Sequence, residues 1–265
     1  MPVERVTDPA YGVTWYRFSE PDIDADAGLM HALVTRLGGI SSPPFHSLNL
    51  SSSGGDDPRA VQVNHTRLFG ALGLSATQVV SPSQVHGHQV AVVGHKDGGT
   101  TVSDTDALIT DQRGLALLLR FADCVPVLLY DAAHHVVGLA HAGWRGVAAQ
   151  VVPATVAAMI KRFGSRPQQL WAGIGPSIGP DHYAVGDDVV QRVQATLPPD
   201  TRVASRIEGQ WHLDLPEAVI TQLRALGVTR IAHAGICTAC TPHEWYSHRG
   251  EVGRTGRFGV LVALR

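Results

Sequence analysis

The chain has 265 residues, of which 44% are hydrophobic and 17% are charged, and its formal net charge is −2 with histidine neutral. This balance supports a substantial core and excludes disorder over most of the length. Lysine and arginine are scattered along the chain, which excludes the basic surface that nucleic-acid binding needs. We therefore expect a single globular domain over residues 1–265, with a small molecule as its ligand.

The chain carries no recognisable targeting or membrane segment. Its first residues mix charges of both signs without an apolar stretch of signal-peptide length, and no later run approaches a membrane span. The three cysteines are too few for a disulfide framework. We expect a cytoplasmic protein that does not contact membranes. Because no feature of the sequence specifies an interface, we also expect a monomer.

The first third of the chain predicts one strand and one helix. Apolar residues at 28–35 precede a glycine-rich turn at 38–39, which is typical of a strand that enters a loop. Asp57-Pro58 is a typical helix start, and Gly73 is a typical stop after the apolar residues at 61, 68 and 72. A helix is therefore predicted from Pro58 to the residue before Gly73.

The middle third predicts a group of adjacent buried strands. Five short apolar runs, many of them rich in β-branched residues, are separated by brief turns: 89–93, 107–110, 115–121, 125–130 and 136–140. After His141 the spacing changes. Residues 147–163 have the apolar spacing and alanine content of a helix, which we expect to end at Gly164.

The last third alternates strands and helices. Strands are predicted at 170–174, 230–234 and 258–264, and helices near 187–196 and 216–226. The alternation lacks the regularity of a barrel or of a doubly wound sheet. A mixed α/β (α+β) sandwich is therefore predicted.

Three short segments at the mouths of predicted strands carry residues that a soft divalent metal prefers. They contain His86 in Gln-Val-His-Gly, Cys124 in Ala-Asp-Cys-Val-Pro, and His141 in His-Ala-Gly-Trp-Arg-Gly. Two imidazoles and one thiolate leave the fourth tetrahedral position for water, which is typical of catalytic rather than structural zinc. The alternative is a buried cysteine with two hydrogen-bonded histidines, because spacing alone does not bring these residues together.

These segments occur with further motifs in a recognisable order. The motifs are Thr-Arg-Leu-Gly-Gly-Ile-Ser at 35–41, Pro-Phe-His-Ser-Leu-Asn-Leu at 44–50, Gly-Asp-Asp at 55–57, Gly-Ile-Gly-Pro at 173–176 and Cys-Thr at 237–238. From about residue 30 to residue 265, the chain resembles the family known as laccase-domain, polyphenol oxidase, peptidoglycan editing factor or purine nucleoside phosphorylase. The resemblance implies mixed sheets in a layered α/β/β/α sandwich.

The same resemblance implies a cofactor and an activity. It implies that Zn²⁺ is bound by His86, Cys124 and His141. The implied substrates are purine nucleosides and phosphate: adenosine, inosine, guanosine and S-methyl-5′-thioadenosine would be cleaved to the base and ribose 1-phosphate. Deamination of adenosine to inosine is implied as a second activity, for which a zinc-bound water would supply hydroxide.

Phosphorolysis also requires a bound anion close to the sugar. Arg145, at the start of a predicted helix, is the first candidate for binding phosphate and for acting in catalysis. Arg36, in the glycine-rich turn, is the second candidate. A surface or structural ion pair is the alternative for both.

Three further polar residues are candidates for the site. Asp123 precedes Cys124 and is a candidate proton carrier or orienting group, although in a strand its side chain would point away from that of Cys124. Ser41 and Asn49 are candidates for hydrogen bonds to the sugar or base. Hydrogen bonds that stabilise turns are the alternative for these two.

Two features depart from the family pattern. Cys237 and Cys240, with His243 and Glu244, imitate a small zinc motif, yet the family pattern matches Cys237 and not Cys240. A second metal site is therefore only a hypothesis from sequence. His248 stands where the family commonly has an arginine, which would weaken anion binding if this position contacts substrate.

Three other functions compete with the nucleoside enzyme. An amidase that removes L-Ser from UDP-MurNAc-L-Ser would use the same zinc-bound water on an amide carbonyl. A copper-dependent polyphenol oxidase would need several His-x-His pairs, whereas this chain offers His86-Gly-His88. A non-enzymatic module could retain the pocket for stability alone.

Overall fold

The computed structural model describes residues 2–20, 23 and 28–265. Its strands, in chain order, are β1 (Val3–Thr7), β2 (Thr14–Phe18), β3 (Leu29–Val34), β4 (Val79–Pro82), β5 (Val90–Val92), β6 (Thr101–Val102), β7 (Ala107–Thr110), β8 (Ala116–Phe121), β9 (Val125–Asp131), β10 (Val136–Ala142), β11 (Trp171–Ile174), β12 (Ala184–Val185), β13 (Ala204–Ile207), β14 (Gln210–Leu213), β15 (Arg230–His233) and β16 (Phe258–Leu264). Its α-helices are α1 (Pro58–Leu72), α2 (Trp144–Ala148), α3 (Val151–Phe163), α4 (Asp187–Gln194) and α5 (Leu215–Ala225). Over the described ranges, no helix combines the length and the apolar character needed to cross a bilayer.

The strands form two large sheets and one small one. The first large sheet has seven strands in the order β1-β2-β3-β16-β8-β4-β6, and the second has six in the order β15-β11-β9-β10-β7-β5. Both sheets are mixed. In the seven-stranded sheet β4 runs parallel to β8 and to β6, and in the six-stranded sheet β5 runs parallel to β7 and β15 runs parallel to β11. The other neighbouring strands of both sheets are antiparallel. The small sheet has the order β12-β14-β13.

The two large sheets pack face to face because their central strands are apolar on both sides. Successive side chains of a strand point to opposite faces. Leu117 and Leu119 of β8 share one buried cluster with Val137 and Leu139 of β10, whereas Leu118 belongs to a cluster on the opposite face of β8. The core between the sheets thus fixes the position of one sheet relative to the other.

Helices cover the outer faces of both sheets. Leu68 and Phe69 of α1 pack on the outer face of the seven-stranded sheet. Val156 and Met159 of α3 and Val219 of α5 pack on the outer face of the six-stranded sheet. The layer order is therefore α/β/β/α, which confirms the mixed, layered sandwich predicted from the sequence.

The boundaries of α1 follow the predicted signals. The Asp57 side chain accepts a hydrogen bond from the backbone N–H of Arg59, and Pro58 occupies the first turn, where it needs no intrahelical donor. Gly73 ends the helix in the left-handed conformation (φ 68°), which glycine adopts without steric cost. The helix predicted at this point is confirmed.

The helix predicted over residues 147–163 is wrong, because it is two helices. Residues 147–163 were expected to be continuous, but α2 ends at Ala148 and α3 begins at Val151. Between them Gln150 has a φ of 62°, which an α-helix does not permit. The short strands β1, β2, β4, β6 and β12 to β14 were not predicted, because several of them are exposed or only two residues long.

Candidate active site

His86, Cys124 and His141 converge at one edge of the sandwich, where the chain passes between the two large sheets. His86 lies between β4 and β5, Cys124 lies between β8 and β9, and His141 lies near the end of β10. Their ligand atoms all lie within 4.8 Å of one another. The rings of His86 and His141 have centroids 4.8 Å apart at an interplanar angle of 73°. The structure therefore brings the three predicted ligands together in a group that could hold a metal ion.

Strand register explains the position of His141. The antiparallel pairing of β9 and β10 places His141 opposite Pro126, two residues after Cys124. His141 also has the same parity in β10 as Val137 and Leu139, so it continues the face that packs between the sheets. Its imidazole is 3% exposed and lies 5.4 Å from the ring of Phe121, between centroids.

Asp106, which the sequence did not identify as part of the site, supports two of the three ligands. Its Oδ1 lies 2.8 Å from Nδ1 of His141. Its carboxylate also accepts the backbone N–H groups of Val85, His86 and Gly87 at 3.1, 3.0 and 2.7 Å. A carboxylate behind a histidine ligand fixes the tautomer of the ring. With its Nδ1–H donated to Asp106, His141 offers Nε2 to a metal.

The backbone around the ligands is unusual at two positions. His86 has a φ of 61° and Asp123 a φ of 84°, in the left-handed region that residues other than glycine rarely adopt. The turn at His86 directs three N–H groups at the Asp106 carboxylate, which explains how that conformation is held. Such conformations cluster at functional sites.

Gly143 is required where α2 begins beside the ligands. A Cβ atom at this position would lie 2.8 Å from Sγ of Cys124 and 3.2 Å from Cδ2 of His86. The first distance is shorter than any ordinary Cβ contact and the second is tight, so a side chain would displace Cys124 and press against His86. The close contact between Gly143 and Cys124 could not be predicted from the sequence.

Charges within the group shift the pKa of both buried ligands. Burial raises the pKa of the Cys124 thiol, but the charge of His141 and hydrogen bonds from His141 and His86 outweigh it and lower the pKa to about 6. Burial lowers the pKa of His141, but the Cys124 thiolate and the Asp106 carboxylate outweigh it and raise the pKa to about 9. In the metal-free protein the two residues therefore form a thiolate and imidazolium pair near neutral pH.

The three ligands open into a cavity of about 770 Å³ with a strongly basic lining. Aromatic surface comes from Trp144 and Tyr183. The basic residues that line it are His65, Arg120, Arg145, His248, Arg249 and Arg257. Within residues 2–20, 23 and 28–265, no aspartate or glutamate other than Asp123 lines the cavity, so this lining favours an anionic ligand.

The four arginines of the cavity differ in how they are held. Arg120, Arg249 and Arg257 each donate from the guanidinium to backbone carbonyl oxygens at 2.7 to 3.1 Å. Arg145 is exposed and lies over the ring of Trp144, 4.8 Å from its centroid. Across the residues that the structure describes, its guanidinium makes no hydrogen bond or ion pair. It is thus the arginine of the cavity with all of its donors available to a ligand.

Asp123 lines the cavity, but its carboxylate is already fully engaged. Oδ1 accepts hydrogen bonds from the hydroxyls of Thr238 and Ser247, both at 2.7 Å. Oδ2 accepts the backbone N–H of Arg249 at 2.6 Å. The side chain therefore ties the segment that carries Arg249 to the residue beside Cys124, which is a positioning role.

Arg36 does not reach the cavity, contrary to the sequence-based expectation. Its guanidinium pairs with Glu251 at 3.0 Å and donates to the carbonyl oxygens of His46 and Pro242, both at 2.7 Å. It also lies 4.3 Å from the centroid of the Tyr246 ring. These contacts leave it buried and satisfied, so the structural ion pair named as its alternative is what the structure contains.

Ser41 and Asn49 also lie outside the cavity lining. Both donate to Oδ2 of Asp56, at 2.6 and 2.8 Å. Asn49 in turn accepts the backbone N–H groups of Ser51 and Arg257 at 3.1 and 2.8 Å. Their direct contacts are those of turn-stabilising residues, although Asn49 holds the backbone of two residues that do line the cavity.

The group around Cys237 and Cys240 contains a different histidine from His243, the one that the sequence suggested. His182, Cys237 and Cys240 have ligand atoms within 4.8 Å of one another. Glu244 is not part of this group, since it accepts hydrogen bonds from Arg5 at 2.9 Å and from Tyr16 at 2.7 Å. His182 is 55 residues from Cys237 in sequence, so no local motif reveals it.

Comparison with known proteins identifies close relatives. A family model described as "Multi-copper polyphenol oxidoreductase laccase" matches residues 30–265. The purine nucleoside phosphorylase YlmD of Geobacillus stearothermophilus is 38% identical over 262 residues, which cover 95% of this chain and 94% of the relative. A purine nucleoside phosphorylase of Deinococcus radiodurans is 38% identical over 237 residues, which cover 88% of each chain.

Solved structures agree with these matches. The crystal structure of YlmD from Geobacillus stearothermophilus superposes with a TM-score of 0.91 at 37% identity, covering 95% of this chain and 96% of that one. The crystal structure of the hypothetical protein YfiH from Bacillus licheniformis superposes with a TM-score of 0.89 at 33% identity, with the same coverage.

Proposed function

We propose that this chain, which belongs to the family described as multi-copper polyphenol oxidoreductase laccase, is a zinc-dependent purine nucleoside phosphorylase. One observation carries the proposal, namely that a two-histidine, one-cysteine group opens into a basic cavity in which Arg145 has free donors. Relatives with that name and with nearly the full length of this chain support it. We propose adenosine, inosine, guanosine and S-methyl-5′-thioadenosine as substrates, with the protein acting as a monomer.

The donor set fits zinc. Two imidazoles and a thiolate suit this borderline-soft ion, and the Asp106 carboxylate behind His141 is the supporting contact that such sites require. His86, Cys124 and His141 would hold the ion. Bound there, zinc would supply a water of lowered pKa, which is what deamination of adenosine to inosine needs. We propose deamination as a second activity of the same site.

The basic lining accounts for phosphate. In phosphorolysis a bond forms between a phosphate oxygen and C1′ of the ribose, while the bond between C1′ and the purine nitrogen breaks and the purine takes a proton. Arg145 is proposed to bind the phosphate, because its guanidinium has no competing partner among the described residues. Arg249 and Arg257 would add positive charge from fixed positions. The faces of Trp144 and Tyr183 offer stacking surface for the base.

Product analysis tests the proposal. Purified protein would be incubated with adenosine, with and without phosphate, while adenine, ribose 1-phosphate and inosine are quantified. Adenine that depends on phosphate supports phosphorolysis, and inosine that depends on zinc supports deamination. Both should vanish in Cys124→Ala and in His86→Ala, and should persist in His88→Ala, which replaces an exposed histidine two residues from the ligand and outside the cavity lining. Adenine formed equally without phosphate would contradict phosphorolysis.

A second candidate function is favoured by the size and charge of the cavity. Four arginines line a cavity of about 770 Å³, and this charge and size also suit a substrate that carries a diphosphate. The amidase that releases L-Ser from UDP-MurNAc-L-Ser would use the same metal group. Release of L-Ser at a rate above that of nucleoside turnover would favour the amidase. A rate below it would favour the phosphorylase.

Copper-dependent oxidation of phenols has less support. His88, the second member of the His-x-His pair, does not line the cavity. Stoichiometric copper together with turnover of a phenolic dye would be needed to establish that activity.

A further inference from the structure

The group of His182, Cys237 and Cys240 lies outside the cavity and is assembled from two segments. His182 belongs to a short 3₁₀ turn, Pro180–His182. Cys237 is paired with Ser177 through an isolated parallel bridge, which sets the two segments side by side. Nε2 of His182 lies 3.1 Å from Sγ of Cys240, and all three ligand atoms lie within 4.8 Å of one another.

The surroundings of Cys237 suit a metal-bound thiolate. The backbone N–H of Gly179 donates to Sγ of Cys237 at 3.2 Å, and such hydrogen bonds support a thiolate sulfur bound to a metal. The approach is close, since a Cβ at position 179 would lie 3.3 Å from the same sulfur and would press against it. The hydroxyl of Thr241 donates to the carbonyl oxygen of Cys237 at 2.8 Å and closes the turn that carries both cysteines.

We propose that His182, Cys237 and Cys240 bind a second soft divalent cation, zinc, independently of the first group. Zinc bonds to sulfur at about 2.3 Å and to nitrogen at about 2.0 Å, so donors around a tetrahedral ion are separated by about 3.3 to 3.8 Å. Nε2 of His182 and Sγ of Cys240 are 3.1 Å apart and all three donors lie within 4.8 Å of one another, so small side-chain movements would bring them to this spacing. His182 and Cys240 are exposed, so the fourth position is open to water. A disulfide would use two of these residues and leave the convergence of His182 unexplained.

The second group is directly connected to the cavity. Tyr183, which follows His182, lines the cavity. Thr238, which follows Cys237, donates to Asp123 beside the ligand Cys124. Arg249 donates to the carbonyl oxygen of Ala184 at 2.7 Å and lies 5.2 Å from the centroid of the Tyr183 ring. A cation at the second group would therefore hold the wall of the cavity formed by Tyr183 and Arg249, in a structural role.

Metal stoichiometry tests this inference without any assay of activity. Protein purified anaerobically would be equilibrated with zinc, desalted and analysed by elemental mass spectrometry. We expect two zinc ions per chain in the parent, one in Cys240→Ser, one in His182→Ala, one in Cys124→Ala, and none when Cys124→Ala and Cys240→Ser are combined. His243→Ala is the matched control: this histidine is closer to Cys240 in sequence but is not part of the group, so two ions should remain.

Cobalt substitution gives a second readout. A cobalt ion bound by two thiolates should show intense sulfur-to-metal absorption that decreases in Cys240→Ser and is unchanged in His243→Ala. The inference is overturned by a single zinc per chain that Cys124→Ala alone removes. It is also overturned by an anaerobically prepared parent whose intact mass is about 2 Da low, because that mass shows a Cys237–Cys240 disulfide. Neither outcome would bear on whether the first group supports phosphorolysis.

Discussion

Oδ1 of Asp106 lies 2.8 Å from Nδ1 of His141, and the same carboxylate holds the backbone turn that presents His86. One buried side chain thus orients two of the three candidate ligands. Burial raises the pKa of Asp106, but hydrogen bonds from His141 and Gly87 outweigh it and lower the pKa below its usual value. The group is therefore ionised near neutral pH and supplies negative charge behind the histidine.

Replacing Asp106 with asparagine should weaken zinc binding at the first group by about 10- to 100-fold. The amide cannot supply the negative charge, and it cannot accept from all four donors. A competition titration with a chromophoric chelator, in a Cys240→Ser background, would measure the change. Asp104→Asn is the matched control, since Asp104 is exposed two residues away. Equal affinity in the two variants would contradict the supporting role of Asp106.

Gly143→Ala should reduce zinc binding at the first group by more than about tenfold while the fold is retained. The backbone at Gly143 has a φ of −75°, which alanine adopts freely, so the effect would come from the Cβ that meets Sγ of Cys124. Zinc titration with circular dichroism would separate binding from folding. Gly94→Ala, where a Cβ meets nothing within 4 Å, should bind zinc like the parent.

Zinc binding should release about one proton per ion from Cys124 and His141 together at about pH 7.5. In the metal-free protein the pKa of Cys124 is about 6 and that of His141 about 9. Between these pH values Cys124 is already a thiolate, and His141 must lose a proton before it can bind zinc. Apparent affinity should rise about tenfold per pH unit over this window, more steeply below it, and level off above it.

Calorimetry in buffers of different ionisation enthalpy, in the Cys240→Ser background, would count these protons. Release of two, together with the absence of thiolate absorption in the metal-free protein, would show that Cys124 is a neutral thiol at that pH and that the second proton does not come from zinc-bound water. Release of none would show that His141 is already neutral. Either count would contradict the thiolate and imidazolium pair.

Arg145→Ala should raise the KM for phosphate by on the order of tenfold or more and leave the thermal stability close to that of the parent. The guanidinium is exposed and has no hydrogen-bond or ion-pair partner among the described residues, so its removal costs only the contact with the Trp144 ring. Initial rates at varied phosphate, with scanning calorimetry of the same samples, would check both parts. An unchanged KM would remove Arg145 from the proposed phosphate site.

Arg36→Ala should leave the KM for phosphate close to that of the parent and lower the free energy of unfolding by about 3 kcal/mol. It removes the partner of Glu251 and the donors to His46 and Pro242. Denaturant unfolding would measure this loss. A raised KM for phosphate without any loss of stability would return Arg36 to the list of substrate-binding residues.

Residue type and local spacing predicted much of the fold and the three candidate ligands, but they did not predict residues whose roles depend on distant contacts. Strands β5, β8, β9 and β10 beside the site and the limits of α1 followed from periodicity and capping residues. His86, Cys124 and His141 followed from their donor chemistry together with the family resemblance. Asp106 and His182 could not be found this way. Their roles depend on contacts with residues 35 and 55 or more positions away, respectively, and a single aspartate or histidine has no local signature.

The remaining differences between the expected and the observed structure have physical causes as well. Arg36, Ser41 and Asn49 are polar residues in a glycine-rich loop, and periodicity does not show whether such side chains face a ligand or satisfy the loop itself. The break at Gln150 escaped prediction because its neighbours keep the apolar spacing of a helix.

His86 and Cys124 lie in connections that join the seven-stranded sheet to the six-stranded sheet, whereas His141 belongs to β10 of the six-stranded sheet. A shift of one sheet relative to the other would pull on both connections and change the spacing of the three ligand atoms. Variants that do not line the cavity, such as Leu119→Ala between the sheets, should therefore weaken metal retention in proportion to how much they loosen that packing. Metal binding in this fold would then depend on buried aliphatic residues that do not contact a substrate.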